Sequence, residues 1–215
     1  MKFAAQEHLI PGETLTEKWD VIQKLGYEGI ELRGQGDFAF EKRLPELQQA
    51  LSDGAYFPSV CVNMSHFIGD FDKPKRRDAI ENMKSLLSVI AEVGGKGAVT
   101  PASYGMHSNR LPPFTSPRSP EEDELVLLEG LQELGEHAAK HNVQVFLEPL
   151  NRYEDHMLNT LEQGVALIKK VGLESVVLMA DLYHMNIEEK NSAQALVNAK
   201  DYVKHIHLAD SNRLE

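Results

Sequence analysis

Three stretches decide how this chain reads: residues 143–154 (VQVFLEPLNRYE), 176–186 (VVLMADLYHMN) and 203–213 (VKHIHLADSNR). Each opens as a short extended run and ends abruptly in acid or histidine. Apolar runs of this length, bounded by polar residues, read as strands of a parallel sheet covered on both faces. In open parallel α/β folds the functional groups collect at the carboxyl ends of the strands. Glu148, Asp181, His184 and His207 therefore stand at successive strand tips. Left unpaired beneath apolar walls, such carboxylates are costly, and a salt bridge or a divalent cation relieves them. A mixed Glu/Asp/His set suits Mn²⁺, Zn²⁺, Co²⁺ or Mg²⁺ better than a thiolate-loving ion. Singly, each residue has an ordinary structural reading as a helix cap or a core histidine. Three strands repeating the pattern in order give that reading less room.

Working outward, four earlier runs have the same strand character, giving seven strands at residues 2–6, 29–33, 57–63, 97–100, 143–148, 176–181 and 203–208. Amphipathic helices alternate with them, the signature of βα units. Thr14 with Glu17 forms a capping box and Gly26 a C-cap. Asp72 and Pro74 open a helix carrying Ile80, Met83, Leu87 and Ile90 on one face, and Ser119, Pro120 and the acidic residues 121–124 start a fourth helix. Residues 101–120 are polar and proline-rich, long enough for a loop over the carboxyl end of the sheet. The glycines of 94–97 precede a strand, not a helix, so they read as an αβ turn and not as a phosphate loop.

Composition narrows the function classes. At 215 residues the chain has room for one sizeable core, and a single domain over residues 1–215 is expected. A net charge of -11, from 33 acidic and 22 basic residues, opposes nucleic-acid binding. No apolar run approaches the roughly 18 residues of a membrane span, and the opening MKFAAQEHLIPGETL lacks a signal-peptide pattern. No membrane partner and a cytoplasmic location are expected. The one cysteine, Cys61, cannot form an intrachain disulfide and reads as a packed thiol.

EPLNRYE, ADLYHMN and HIHLADSNR resemble the matching segments of the xylose-isomerase-like group of TIM-barrel proteins, which includes ketose 3-epimerases and hydroxypyruvate isomerases. The resemblance runs over about residues 1–213 and rests on these three motifs. It implies an α/β fold, a TIM (β/α) barrel of which this chain carries about seven of eight strands. It also implies a metal-dependent isomerase or epimerase of a keto-sugar or related polyhydroxy carbonyl compound. Glu148, Asp181 and His207 would hold one divalent ion (Mn, Co, Mg or Zn), with Glu148 also acting as acid/base. Glu154, His184 and Arg213 would hold substrate oxygens, and His66 and His107, after strands three and four, would also contact substrate. The implied chemistry is proton removal beside a polarised carbonyl to give a cis-enediolate, with a second glutamate returning a proton from the opposite face.

In the family, the fourth ligand and that second glutamate come from strand eight, whereas by spacing this sequence finishes just after strand seven. Weak or absent turnover is expected unless the carboxylate comes from elsewhere, since losing one of two acid/base groups costs on the order of 10²–10⁴ in rate. Open sheet edges lead to the expectation of a homo-oligomer. Two rivals remain. One is a zinc-dependent abasic-site endonuclease of the same fold, with His66 and His107 as further ligands. The other is a non-catalytic protein that keeps a metal or sugar site.

Overall fold

The structure is a computed structural model that describes residues 2–106 and 115–213. Its seven strands are β1 (Ala4–Gln6), β2 (Gly29–Gln35), β3 (Ser59–Asn63), β4 (Gly97–Pro101), β5 (Gln144–Glu148), β6 (Val176–Asp181) and β7 (Val203–His207). All pair in parallel, in the order β1-β2-β3-β4-β5-β6-β7. The bounds fall within two residues of those expected. β1 starts later because its pairing begins at Ala4↔Gly29, and β7 stops at His207 because Leu208 turns out to solvent.

Helices α1 (Leu15–Lys24), α2 (Leu44–Ser52), α3 (Lys73–Glu92), α4 (Pro120–Lys140), α5 (Leu161–Val171), α6 (Leu182–Glu188) and α7 (Ser192–Ala199) lie between the strands. Their starts follow from local chemistry. Thr14 and Glu17, Ser119 and Glu122, and Thr160 and Gln163 form reciprocal capping boxes, and the Asp72 side chain accepts from Lys75 N. Each such cap satisfies backbone donors that the first helical turn leaves free. Gly26, at φ +85°, takes the left-handed turn that ends α1. Gly94, at φ +78°, does the same after α3, so 94–97 is an αβ turn as expected.

The main core lies between the helices and the outer face of the sheet, where Ile30, Leu32, Val60, Ala98, Leu147 and Leu178 meet α-helical Ile22, Leu86, Ile90, Leu131 and Leu134. Alternate strand residues point to the other face. Cys61, Val99, Phe146, Val177 and Met179 form a separate small cluster there. The sheet must curl around this cluster. Glu31 on β2 and His205 on β7 stand five strand positions apart, which in a flat sheet would separate them by about 24 Å. Their side chains instead meet at 2.8 Å. This curled parallel sheet wrapped by helices is the TIM-barrel-like architecture the motifs implied.

Between β4 and β5 the curl brings backbones together. A Cβ at Gly97 would overlap the carbonyl oxygen of Gln144. Gly97→Ala is therefore expected to destabilise the fold by about 1–3 kcal/mol; an unchanged urea midpoint would contradict the β4–β5 packing described here. The loop expected at 101–120 is bounded as read, by β4 and α4, but residues 107–114, His107 among them, lie outside the described residues.

Candidate active site

β5, β6 and β7 deliver Glu148, Asp181 and His207 to one place at their carboxyl ends. One ligand atom from each lies within 4.8 Å of the others. His207 Nδ1 is 3.9 Å from Glu148 Oε1 and 3.8 Å from Asp181 Oδ2. The β6–β7 register sets Asp181 directly opposite His207. Asp181 also caps α6, its Oδ1 accepting from Tyr183 N at 2.7 Å, which leaves Oδ2 turned to the cluster.

The electrostatics show a site with more buried negative charge than it neutralises. Burial pushes the Glu148 carboxyl up to about 8; His207 opposes the shift, and Asp181 and Glu31 add to it. Asp181 stays below the usual carboxylate range despite burial, because His207 and His184 stabilise its charge. His207 is held well above the usual imidazole range: burial works against this, and Glu31 and Asp181 overcome it. A divalent cation is the natural neutraliser of two carboxylates and one imidazole at this spacing.

Beside this cluster the structure gathers Glu154, His184 and Arg213. His184 is buried and takes the backbone N–H of Asn151 on Nδ1 at 3.1 Å, which leaves its proton on Nε2. Yet Arg213 Nη2, also a donor, lies only 2.8 Å from that Nε2. Two donors thus face the same spot, and an oxygen acceptor drawn in beside them, with a small shift of the guanidinium, would take a hydrogen bond from each. The guanidinium rests 3.9 Å from the Tyr183 ring centroid and reaches toward Glu154 Oε1 at 3.8 Å and Asp181 Oδ2 at 4.0 Å. Glu154 Oε1 accepts from Asn151 Nδ2 at 3.2 Å, while its Oε2 is buried with no hydrogen-bond partner among the described residues. The loop carrying Glu154 is anchored by buried Asp155, which accepts from Ser103 Oγ at 2.5 Å.

His66 does not join the Glu148–Asp181–His207 cluster. It follows β3, its Nδ1 2.7 Å from Asp78 Oδ2, and lines a cleft of about 270 Å³ with Gln35, Asn63 and Asn82. Cys61 sits on the inner face beneath the carboxylates, where burial and their charge push its thiol well up and favour the neutral form.

Two residues were not anticipated from the sequence. Glu31, on β2, is buried under the cluster, and its Oε1 lies 2.7 Å from His207 Nε2, a short ionic contact without the alignment of a good hydrogen bond. His205 Nε2 meets Glu31 Oε2 at 2.8 Å, and its ring stacks on Phe146. Glu31, His205 and His207 form a second group of potential ligands. The signals were a glutamate inside the apolar run GIEL and the alternation HIH, which puts both imidazoles on one face of a strand.

Known proteins of similar sequence and structure carry this arrangement further. Residues 19–215 match the family described as xylose isomerase-like TIM barrel. The chain is 38% identical to 3-dehydro-D-guloside 4-epimerase of Escherichia coli (strain K12), an alignment that covers 100% of this chain and 81% of that protein. It is 40% identical over 86 residues to D-psicose 3-epimerase of Agrobacterium fabrum, covering 40% of this chain and 30% of that enzyme. The apo crystal structure of 3-keto-D-glucoside 4-epimerase from E. coli superposes with a TM-score of 0.93 at 39% identity, over 99% of this chain and 80% of that one. A D-psicose 3-epimerase crystallised with D-fructose shares the fold at a TM-score of 0.78 and 23% identity, over 99% of this chain and 74% of that one. This chain belongs to the xylose isomerase-like TIM-barrel family, and its named relatives are sugar epimerases.

Proposed function

We propose that the chain works as a metal-dependent sugar epimerase that inverts the carbon next to a carbonyl. The observation that carries this is the Glu148–Asp181–His207 cluster with Glu154, His184 and Arg213 at its side. The relatives' names fit one chemistry: a 3-keto sugar inverted at carbon 4 and a 2-ketose inverted at carbon 3 both change the stereocentre adjacent to the ketone. Such a C–H is acidified by its neighbouring carbonyl, and so can be lost and returned as a proton.

Glu148, Asp181 and His207 would hold the cation; manganese, cobalt, magnesium and zinc all suit the donors. When bound, it would polarise the substrate carbonyl and so acidify the neighbouring C–H. The chain's own residues do the rest. Glu148 takes the proton from the carbon. His184 Nε2 and Arg213 converge on one substrate oxygen, which satisfies both donors, and Glu154 Oε2 accepts from a sugar hydroxyl. A small-molecule substrate also accords with the net charge of -11, which disfavours a nucleic-acid partner. His66, paired with Asp78 outside both ligand groups, gives the endonuclease reading no support. Cytoplasmic location and self-association across the sheet edges belong to this proposal; no described helix is long and apolar enough to cross a membrane.

The test is solvent exchange. With Mn²⁺ or Co²⁺ in D₂O, a 3-keto-D-glucoside or D-psicose is expected to take up deuterium at the carbon beside the ketone, read by proton NMR. One working base gives exchange without inversion; two give both. A substrate signal that survives prolonged incubation with the cation-loaded chain rejects the epimerase reading.

A further inference from the structure

We propose that Glu31 is a positioning residue for the metal centre, fixing His207 with Nε2 toward the barrel floor and Nδ1 toward Glu148 and Asp181. The inference rests on the metal reading above and deepens it.

The argument begins with the cost of a buried carboxylate. Glu31 is 3% exposed within the buried first part of β2, between Ile30 and Leu32. Such a charge persists only if its surroundings satisfy it. Oε1 accepts from Gln6 Nε2 at 3.1 Å and lies 2.7 Å from His207 Nε2. Oε2 accepts from Ser59 Oγ at 2.6 Å and meets His205 Nε2 at 2.8 Å. Side chains from β1, β3 and β7 therefore converge on one group from β2, locking it in place.

The consequence falls on His207, which has two ring nitrogens and one productive orientation. A carboxylate facing Nε2 draws the proton to that side, leaves the Nδ1 lone pair for a cation, and makes the ring a stronger ligand. Without Glu31, nothing at 2.7 Å would oppose rotation of the ring, and Nδ1 would no longer be held toward Glu148 and Asp181.

The competing use of the same residues is a second ion bound by Glu31, His205 and His207. Geometry favours the positioning role: all four contacts of the carboxylate are already taken by Gln6, Ser59, His205 and His207. An ion there would have to displace at least two of them.

The test titrates Mn²⁺ and Co²⁺ into the whole chain by calorimetry and records the Co²⁺ visible absorption spectrum for wild type, Glu31→Gln, Glu31→Asp and Ser59→Ala. One ion per wild-type chain is expected. Glu31→Gln, which keeps size and removes charge, is expected to bind about 10–100-fold more weakly. Its Co²⁺ spectrum is expected to shift, a change that a loss of fold stability alone does not produce. Ser59→Ala, which keeps the carboxylate and removes one of the groups that lock it, is expected to weaken binding less than Glu31→Gln does. If Glu31→Gln does not fold by circular dichroism, Glu31→Asp, too short to span both rings, carries the comparison. Unchanged affinity and spectrum in the folded Glu31 variants overturn the proposal. Two ions in wild type falling to one in Glu31→Gln overturn it in favour of a second ion. A wild-type chain that binds none rejects the metal reading itself, and this inference with it.

Discussion

Glu148→Gln is expected to lower the rate of deuterium exchange at the substrate carbon by on the order of 10²–10⁴ while leaving the cation-free protein at least as stable as wild type at high pH. The first part follows from the role of Glu148: glutamine keeps the shape but can neither take a proton nor give a charge to the cation. The second follows from its surroundings. Burial, with Asp181 and Glu31 nearby, pushes this carboxyl up to about 8, so above that pH the folded chain carries a buried, under-compensated charge. In the unfolded chain the same carboxyl ionises freely near its ordinary 4.5. Ionised Glu148 therefore opposes folding above about pH 8, and glutamine removes the penalty. Loss of function without loss of stability marks a residue kept for chemistry and not for packing. Exchange rates and thermal midpoints at about pH 9 check both halves. A variant that exchanges deuterium as fast as wild type would take Glu148 out of the mechanism.

The fold was legible because its signals are local. Strand runs and caps such as Thr14–Glu17 and Ser119–Glu122 depend on residues at most a few positions apart. The ends of β5, β6 and β7 were legible for a related reason: a run such as VVLMAD puts its one acid where the strand stops. Glu31 was harder to see. Its meaning comes from His205 and His207, more than 170 positions away, which reach it only because the sheet curls. A lone Glu in GIELRG looks like an irregularity until its partners are in view. His66 was expected after β3 as a substrate contact; its pairing with Asp78, twelve residues on, was not visible in sequence spacing alone. Arg213 and His184 were each expected to hold substrate oxygens; their contact with each other, and the φ of +57° at Arg213, were announced by nothing in HLADSNR.

Affinity for the divalent cation is expected to climb steeply between about pH 6 and pH 8, by about one decade per pH unit for each proton displaced. Two protons stand in the way. Below about 8 Glu148 holds one, and His207, held well above the usual imidazole range by Glu31 and Asp181, holds another. Glu31 and Asp181 lie below the usual carboxylate range and are already ionised across this window, so they add no slope. Stability should move the opposite way in cation-free protein. Both Glu148 and His207 are raised in the folded state, so the folded chain binds more protons than the unfolded one, and stability falls as pH rises through the window. A bound cation removes those protons and with them the decline. Urea midpoints at about pH 6 and pH 8, with and without Co²⁺, give both effects in one experiment. Affinity that stays flat across the window would mean that the cation does not displace protons from Glu148 and His207, and the ligand set would have to be sought elsewhere.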